Sequence, residues 1–182
     1  YTKKTGVKFQ TVYSPKGLAA RLKAEGERTE ADLVLTVDIS RIKELADTGL
    51  LAPLASDTLN KHVPSHLRDA NDRWTALSLR ARIIAVSKER VGKEAITTIE
   101  DLASPKWQGR VCSRKGSHVY NRAVLASLIA HNGEEAAKNW TLGLVDNLAR
   151  RPQGNDRAQA KAIYSGQCDL ALMNTYYYGK MK

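Results

Sequence analysis

Near its C-terminal end the chain carries Asn174-Thr175-Tyr176-Tyr177-Tyr178-Gly179, which places three of its seven tyrosines in succession. A phenol is neutral at pH 7, with a free pKa of about 10. It becomes an anionic oxygen ligand when a strong Lewis acid displaces its proton. A hard, highly charged cation such as Fe(III) does this, and tyrosinate ligation of ferric iron is known from haem chemistry. The plain alternative is that these are packing or rim tyrosines, and the stretch by itself leaves both readings open. Two further places carry chemistry. Arg80 and Arg82 share one face if their stretch is extended; they are either solvated arginines or an anion clamp, since guanidinium offers a planar donor fork. Tyr120 stands at the end of the Gly/Ser loop Arg114-Lys115-Gly116-Ser117-His118-Val119, whose N–H groups and following helix start favour an anion. His62 and His66 are four apart, but Pro64 between them argues against a regular helix, and two surface histidines are the expected reading.

The elements that position these residues follow from pattern. Asp169-Leu170-Ala171-Leu172-Met173 is a short apolar run, expected as a buried strand leading into the tyrosines. Asn174 or Thr175 can cap a helix beneath them. The phenols would then lie at the C-terminal edge of a strand, where open α/β sheets bind ligands. Arg110 to Ser113 is expected as another strand, leading through the Gly/Ser loop into an amphipathic helix over Val124 to Ala130. Helices are also expected from Gly133-Glu134-Glu135 onward and over Arg157 to Tyr164, the latter capped by the turn Pro152-Gln153-Gly154-Asn155-Asp156.

In the first half, Tyr1 to Gly6 reads as the tail of a helix ended by Gly6. Lys8 to Tyr13 alternates like a strand, Ser14-Pro15 signals a helix start, and Asp32 to Asp38 reads as a parallel central strand. Ser40 can cap a helix running to Gly49. This order predicts a parallel sheet with crossover helices. Arg73 to Ser87 is too long for one ordinary strand of 5–6 residues, so a bend or a crossing between lobes is expected near Arg80 to Ile83.

With 182 residues there is room for one domain or two small lobes, and 42% hydrophobic with 26% charged residues is ordinary for a globular protein. No apolar run approaches the roughly 20 residues of a membrane span. The net charge of +10 permits contact with nucleic acid or an anionic membrane. The basic residues are dispersed and not interleaved with aromatics, so no nucleic-acid partner is expected. No Ser-His-Asp, His-Glu-x-x-His or Gly-rich phosphate motif stands out, so an enzyme is not expected. With only Cys112 and Cys168 and no Cys-x-x-Cys spacing, neither is a structural zinc site.

An ordered set of blocks spanning nearly the whole chain resembles the periplasmic ferric-iron-binding proteins of bacterial ABC importers, in particular their tyrosine-rich cyanobacterial-type branch. The blocks include Ala31 to Asp38, Leu79-Arg80-Ala81-Arg82, Glu100 to Arg110 (Glu-Asp-Leu-Ala-Ser-Pro-Lys-Trp-Gln-Gly-Arg), Val119-Tyr120-Asn121, Pro152 to Asp156 and Asn174-Thr175-Tyr176-Tyr177. Single blocks are weak, but the ordered set ending in Asn-Thr-Tyr-Tyr is specific.

The resemblance implies a two-lobed α/β periplasmic-binding-protein fold (class II) that closes on its ligand like a hinged clamp. It implies that residues 1–82 form part of the first lobe and 83–182 most of the second, with a hinge near 80–83 and a chain truncated at both ends. It further implies ferric-iron capture by Tyr120, Tyr176 and Tyr177, with Arg80, and Arg82 beside it, holding a synergistic anion such as carbonate or a neighbouring phenolate. Delivery of iron to an inner-membrane ABC permease by a periplasmic monomer completes the expectation; a receptor for a small anion or another metal is the alternative on the same fold. Three phenolates would neutralise a trivalent ion, and nearby arginine offsets the proton cost of making them. Tyr178 is not expected to join, because neighbours on a helix diverge by about 100°. Two departures are visible. Lys180 stands where the family often has arginine, keeping the charge without the fork, and the family's N-terminal strand with a further tyrosine ligand has no counterpart here.

The ligand set implied by the resemblance also bears on the cysteines. If Tyr120 and the Tyr176–Tyr177 pair reach one metal, the strands before them must be close, and adjacent strands about 4.8 Å apart suit a disulfide. A Cys112–Cys168 bond is therefore expected in the oxidising periplasm. Two buried thiols acting as small apolar residues are the alternative.

Overall fold

The computed structural model describes residues 1–14, 17–92 and 96–181. The chain forms two compact units, Tyr1–Leu77 and Ser78–Lys182.

The first unit is helical and irregular. It contains α1 (Thr2–Thr5), α2 (Leu18–Glu25), α3 (Ile39–Ala46) and α4 (Asp57–His62). Gly6 closes α1 in a left-handed conformation, φ 77°, as a helix-ending glycine does. Its small core is Leu22 of α2 with Leu45 and Ala46 of α3. Asp38 caps α3 by accepting from the Ser40 amide at 3.1 Å, rather than Ser40 capping it. The carboxylate one position before the helix outcompetes a hydroxyl already inside it. Arg73 forks onto Asp69 and donates to the Ala46 carbonyl, tying the irregular stretch back to α3. Pro15, expected to start α2, lies outside the described residues.

The strands expected at Lys8 to Tyr13 and Asp32 to Asp38 do not form, and with them the parallel sheet of the first half is absent among the described residues. Most apolar side chains of these stretches, among them Phe9, Leu33 and Leu35, are exposed. Alternation reports a face that wants cover; a strand exists only when a neighbouring backbone takes its N–H and C=O groups. None of the described residues of this unit lies alongside to do so.

The second unit is built on a three-stranded sheet. Its strands are β1 (Arg82–Val86), β2 (Val111–Cys112) and β3 (Leu170–Asn174), in the order β1-β3-β2. Every residue of β3 is buried. That is why its sequence is a continuous apolar run: a strand covered on both faces has no polar side. Each fully buried leucine of it contributes about 1.5–3 kcal/mol. β1 runs antiparallel to β3, pairing Arg82 with Asn174, and β2 runs parallel to it, pairing Cys112 with Ala171.

Between β1 and β2 lies the short α5 (Lys88–Val91); between β2 and β3 the chain passes through α6 (Val119–Asn132), α7 (Glu134–Asp146) and α8 (Asp156–Tyr164). The core packs Leu102, Trp107, Val111, Leu128 and Leu170 together. Asn147 is buried but satisfied, donating to the Leu102 and Ser104 carbonyls. α7 approaches the 3-10 turn Glu100–Ala103 so closely that a Cβ on Gly143 would lie 2.8 Å from the Ala103 carbonyl oxygen. β3 runs directly into α9 (Thr175–Met181). No helix of the described residues is long and apolar enough to cross a membrane.

Candidate metal centre

Tyr176 and Tyr177 stand in the first turn of α9, immediately beyond the C-terminal end of β3. Tyr120 stands in the first turn of α6, which His118 caps by accepting from the Tyr120 amide on Nδ1 at 3.2 Å. The Gly/Ser loop after β2 thus delivers Tyr120 to the sheet edge at which β3 delivers the tyrosine pair. Arg80 precedes β1 and Arg82 begins it, so β1 brings two guanidiniums to the same edge.

The phenols meet. Tyr120 and Tyr177 lie close enough to Tyr176 for the three phenols to shift one another's ionisation. The Tyr176 and Tyr177 rings are 4.4 Å apart. Asn174 Nδ2 donates to the Tyr176 hydroxyl at 3.3 Å, and Arg80 is near enough to favour its ionised form. Four polar neighbours therefore favour the ionised form of one oxygen. Burial works against its ionisation, but the hydrogen bonds, led by that from Tyr177, outweigh it and bring Tyr176 down to about 8. A phenolate is worth most where donors already point at it. The donating partners move the other way: Tyr177 is pushed up to about 12, first by its hydrogen bond to Tyr176, and Tyr120 is raised by burial and then by the same oxygen.

Positive charge surrounds the trio. Arg80 Nη1 donates to the Tyr120 hydroxyl at 3.1 Å. The guanidinium carbons of Arg80, Arg82 and Arg114 lie 5.2, 5.5 and 5.0 Å from the Tyr120 ring centre. Arg157 lies 5.5 Å from the Tyr177 ring centre and Lys180 5.8 Å from that of Tyr176. Such cations stabilise anionic oxygen and attract anionic ligands. The structure thus brings together Tyr120, Tyr176, Tyr177, Arg80 and Arg82. Tyr178 points away and is 66% exposed. His62 and His66 are exposed in the first unit. Among the described residues no group of three or more His, Cys, Asp or Glu side chains could hold a metal, so the oxygen-rich tyrosine trio is the candidate donor set. Its chemistry fits a hard, highly charged cation, which prefers anionic oxygen.

Cys112 and Cys168 are disulfide-bonded, with Cα atoms 5.8 Å apart. The bond joins β2 to the residue pair entering β3 and is buried with Ala162 and Ala171.

Sequence reasoning missed several contributors. Asp156, read only as part of a turn and cap, is wholly buried and holds both Arg82 and Arg114. Arg114 was visible only as one basic residue of the loop. Asn174, read as a helix cap, turns its amide onto Tyr176. Nothing in the spacing of Arg114 and Asp156, 42 residues apart, announces their contact; the Asn155-Asp156 pair at a helix start was the available signal.

The family model of the bacterial extracellular solute-binding proteins matches residues 29–182. Iron uptake protein A1 of Synechocystis sp. is 42% identical over 182 residues, covering 100% of this chain and 51% of the relative. Among solved structures, apo ferric ion-binding protein A of Pasteurella haemolytica is 47% identical with a TM-score of 0.92, covering 99% of this chain and 57% of that one. A Trichodesmium protein solved in complex with iron and citrate ligands is 42% identical with a TM-score of 0.92, covering 100% of this chain and 58% of that one. The chain spans about half the length of the curated relatives it matches.

Proposed function

This chain belongs to the bacterial extracellular solute-binding protein family, and on that premise we propose that the protein it represents captures ferric iron in the periplasm and hands it to an ABC permease. Tyr120, Tyr176 and Tyr177 serve as the tyrosinate ligands in this reading. Arg80 stabilises the phenolates and faces a synergistic anion, carbonate or a carboxylate such as citrate, while Arg82, its donors taken up by Asp156, Asn174, Asn121 and the Leu172 carbonyl, adds positive charge from behind Tyr120. The two compact units are read as parts of two lobes, with residues 80–83 at the crossing.

The observation that carries the reading is the cluster of Tyr120, Tyr176 and Tyr177 among cations and donors, with Arg80 on the Tyr120 hydroxyl, Asn174 on the Tyr176 hydroxyl and the guanidiniums of Arg80, Arg82 and Arg114 beside the Tyr120 ring. A packing cluster needs no such collection of donors. A hard trivalent cargo does, because each phenol must lose a proton before it can bind. The relatives named for ferric iron support the cargo assignment.

The test is colour. Tyrosinate on Fe(III) gives a visible charge-transfer band. The natural full-length protein loaded with ferric iron is expected to show it, and Tyr176→Phe is expected to lose or strongly weaken it. A colourless wild-type protein that binds a small anion instead would replace iron by the anion as the ligand.

A further inference from the structure

We propose that Asp156 is the positioning residue of the tyrosine site: one buried carboxylate that sets where Tyr120 stands relative to Tyr176. The proposal rests on the ferric-iron reading for its ligand and on geometry for the rest. Asp156 is 0% exposed, at the start of α8. Its Oδ2 accepts from Arg82 Nη1 at 2.6 Å and from the Asn174 backbone N–H at 2.9 Å; its Oδ1 accepts from Arg114 Nη1 at 2.9 Å. Four pieces of chain thus end on one group: the start of β1, the loop after β2, the end of β3 and the start of α8.

Each contact leads to the site. Arg82 and Arg114 both press on the Tyr120 ring. Arg82 also donates to the Asn174 side-chain oxygen at 3.2 Å and the Leu172 carbonyl at 3.1 Å, fixing the last turn of strand before the tyrosine pair. Asn174, held through its backbone by Asp156, aims its amide at Tyr176. The side chains of Arg82 and Arg114 are only 12% and 10% exposed, so little solvent reaches either to replace the carboxylate. Without the carboxylate two buried like charges would face each other, and the Tyr120 ring that both approach would lose its seat. With it, the cluster keeps a single net positive charge under Tyr120 in a fixed orientation.

The experiment compares Asp156→Asn with wild type in the natural full-length protein. Asparagine keeps the shape but offers one acceptor oxygen instead of two, so the three contacts cannot all survive. Three quantities are read: melting temperature, Fe(III) affinity, and the position of the visible band. Gly143→Ala, remote in the α7 packing, is the control for destabilisation alone. Asp156→Asn is expected to weaken Fe(III) binding about 10–100-fold, the range seen when a partner behind a metal ligand is lost, and to move the band. Gly143→Ala is expected to lower only the melting temperature. Wild-type affinity and band position in folded Asp156→Asn would overturn the proposal. Should Asp156→Asn not fold, Arg114→Lys replaces it, with the same expected loss and shift; no change in either overturns the proposal equally. A wild-type protein that shows no iron band counts against the function and not against the positioning. In that case the ring signals of carbon-13-labelled tyrosine decide: Tyr120 is expected to shift in Asp156→Asn while exposed Tyr164 does not, and an unmoved Tyr120 overturns the proposal.

Discussion

Arg80 donates to the Tyr120 hydroxyl at 3.1 Å while its guanidinium carbon lies 5.2 Å from the same ring's centre. The same side chain also favours the ionised form of Tyr176. One cation therefore serves two phenols, and its charge offsets the cost of ionising either. Arg80→Ala is expected to raise the pH at which iron is taken up, because both phenols then lose a stabilising charge. Iron uptake followed by the visible band across a pH series checks this; an unchanged midpoint removes Arg80 from the site.

The neighbours of Tyr176 predict an order of ionisation. In iron-free protein the first phenol proton of the trio is expected to leave near pH 8, well before the ordinary phenol value of about 10. The ultraviolet phenolate absorbance should show this early step, and Tyr176→Phe should abolish it. The stability consequence has a definite sign. Tyr176 has a folded value below its unfolded one, so its contribution is full above about pH 10 and is lost as pH falls through about 8. Tyr177 is raised, so its contribution is full below about pH 10 and is lost as pH rises through about 12. The difference in melting temperature between wild type and each phenylalanine variant, measured across pH, should follow these two opposite windows.

Ligand identity is separable from mere aromaticity. Tyr120→Phe, Tyr176→Phe and Tyr177→Phe should each weaken Fe(III) binding by at least about 100-fold, beyond what loss of an outer partner costs. Tyr178→Phe should leave affinity unchanged, since that side chain lies mostly in solvent. Titration with a competing chelator measures all four. Equal effects from the four would refute the assignment.

The Cys112–Cys168 bond closes a separation of 56 residues, for which the chain-entropy model gives about 4 kcal/mol. Unreduced, denatured protein should show no titratable thiol. The double Cys→Ala variant should unfold at lower denaturant, and two free thiols per chain would contradict the bond.

Gly143→Ala should cost about 1–3 kcal/mol through overpacking, because the added carbon would meet the Ala103 backbone and Cβ at 2.8 and 2.9 Å. Chemical denaturation measures it; an unchanged midpoint would mean that α7 can shift outward without loss.

The sequence by itself determined the local parts whose causes are local. The apolar run through Met173 became buried β3, Gly6 closed the first helix, and the tyrosine pair landed at the start of a helix beyond a strand end. Ordered blocks of residues placed the chain in its family. Tertiary structure alone decided the rest. The alternating stretches at Lys8 to Tyr13 and Asp32 to Asp38 carry the pattern of strands but not the partner, and a ladder needs a second backbone. Which phenol gives up its proton first depends on neighbours arriving from three separate segments, at Arg80, Tyr120 and Asn174 to Tyr177. Asp156 looks like an ordinary first-turn acid until Arg82, Arg114 and the Asn174 amide converge on it. Burial with charged partners is a property of the packed fold, and no spacing along the chain records it.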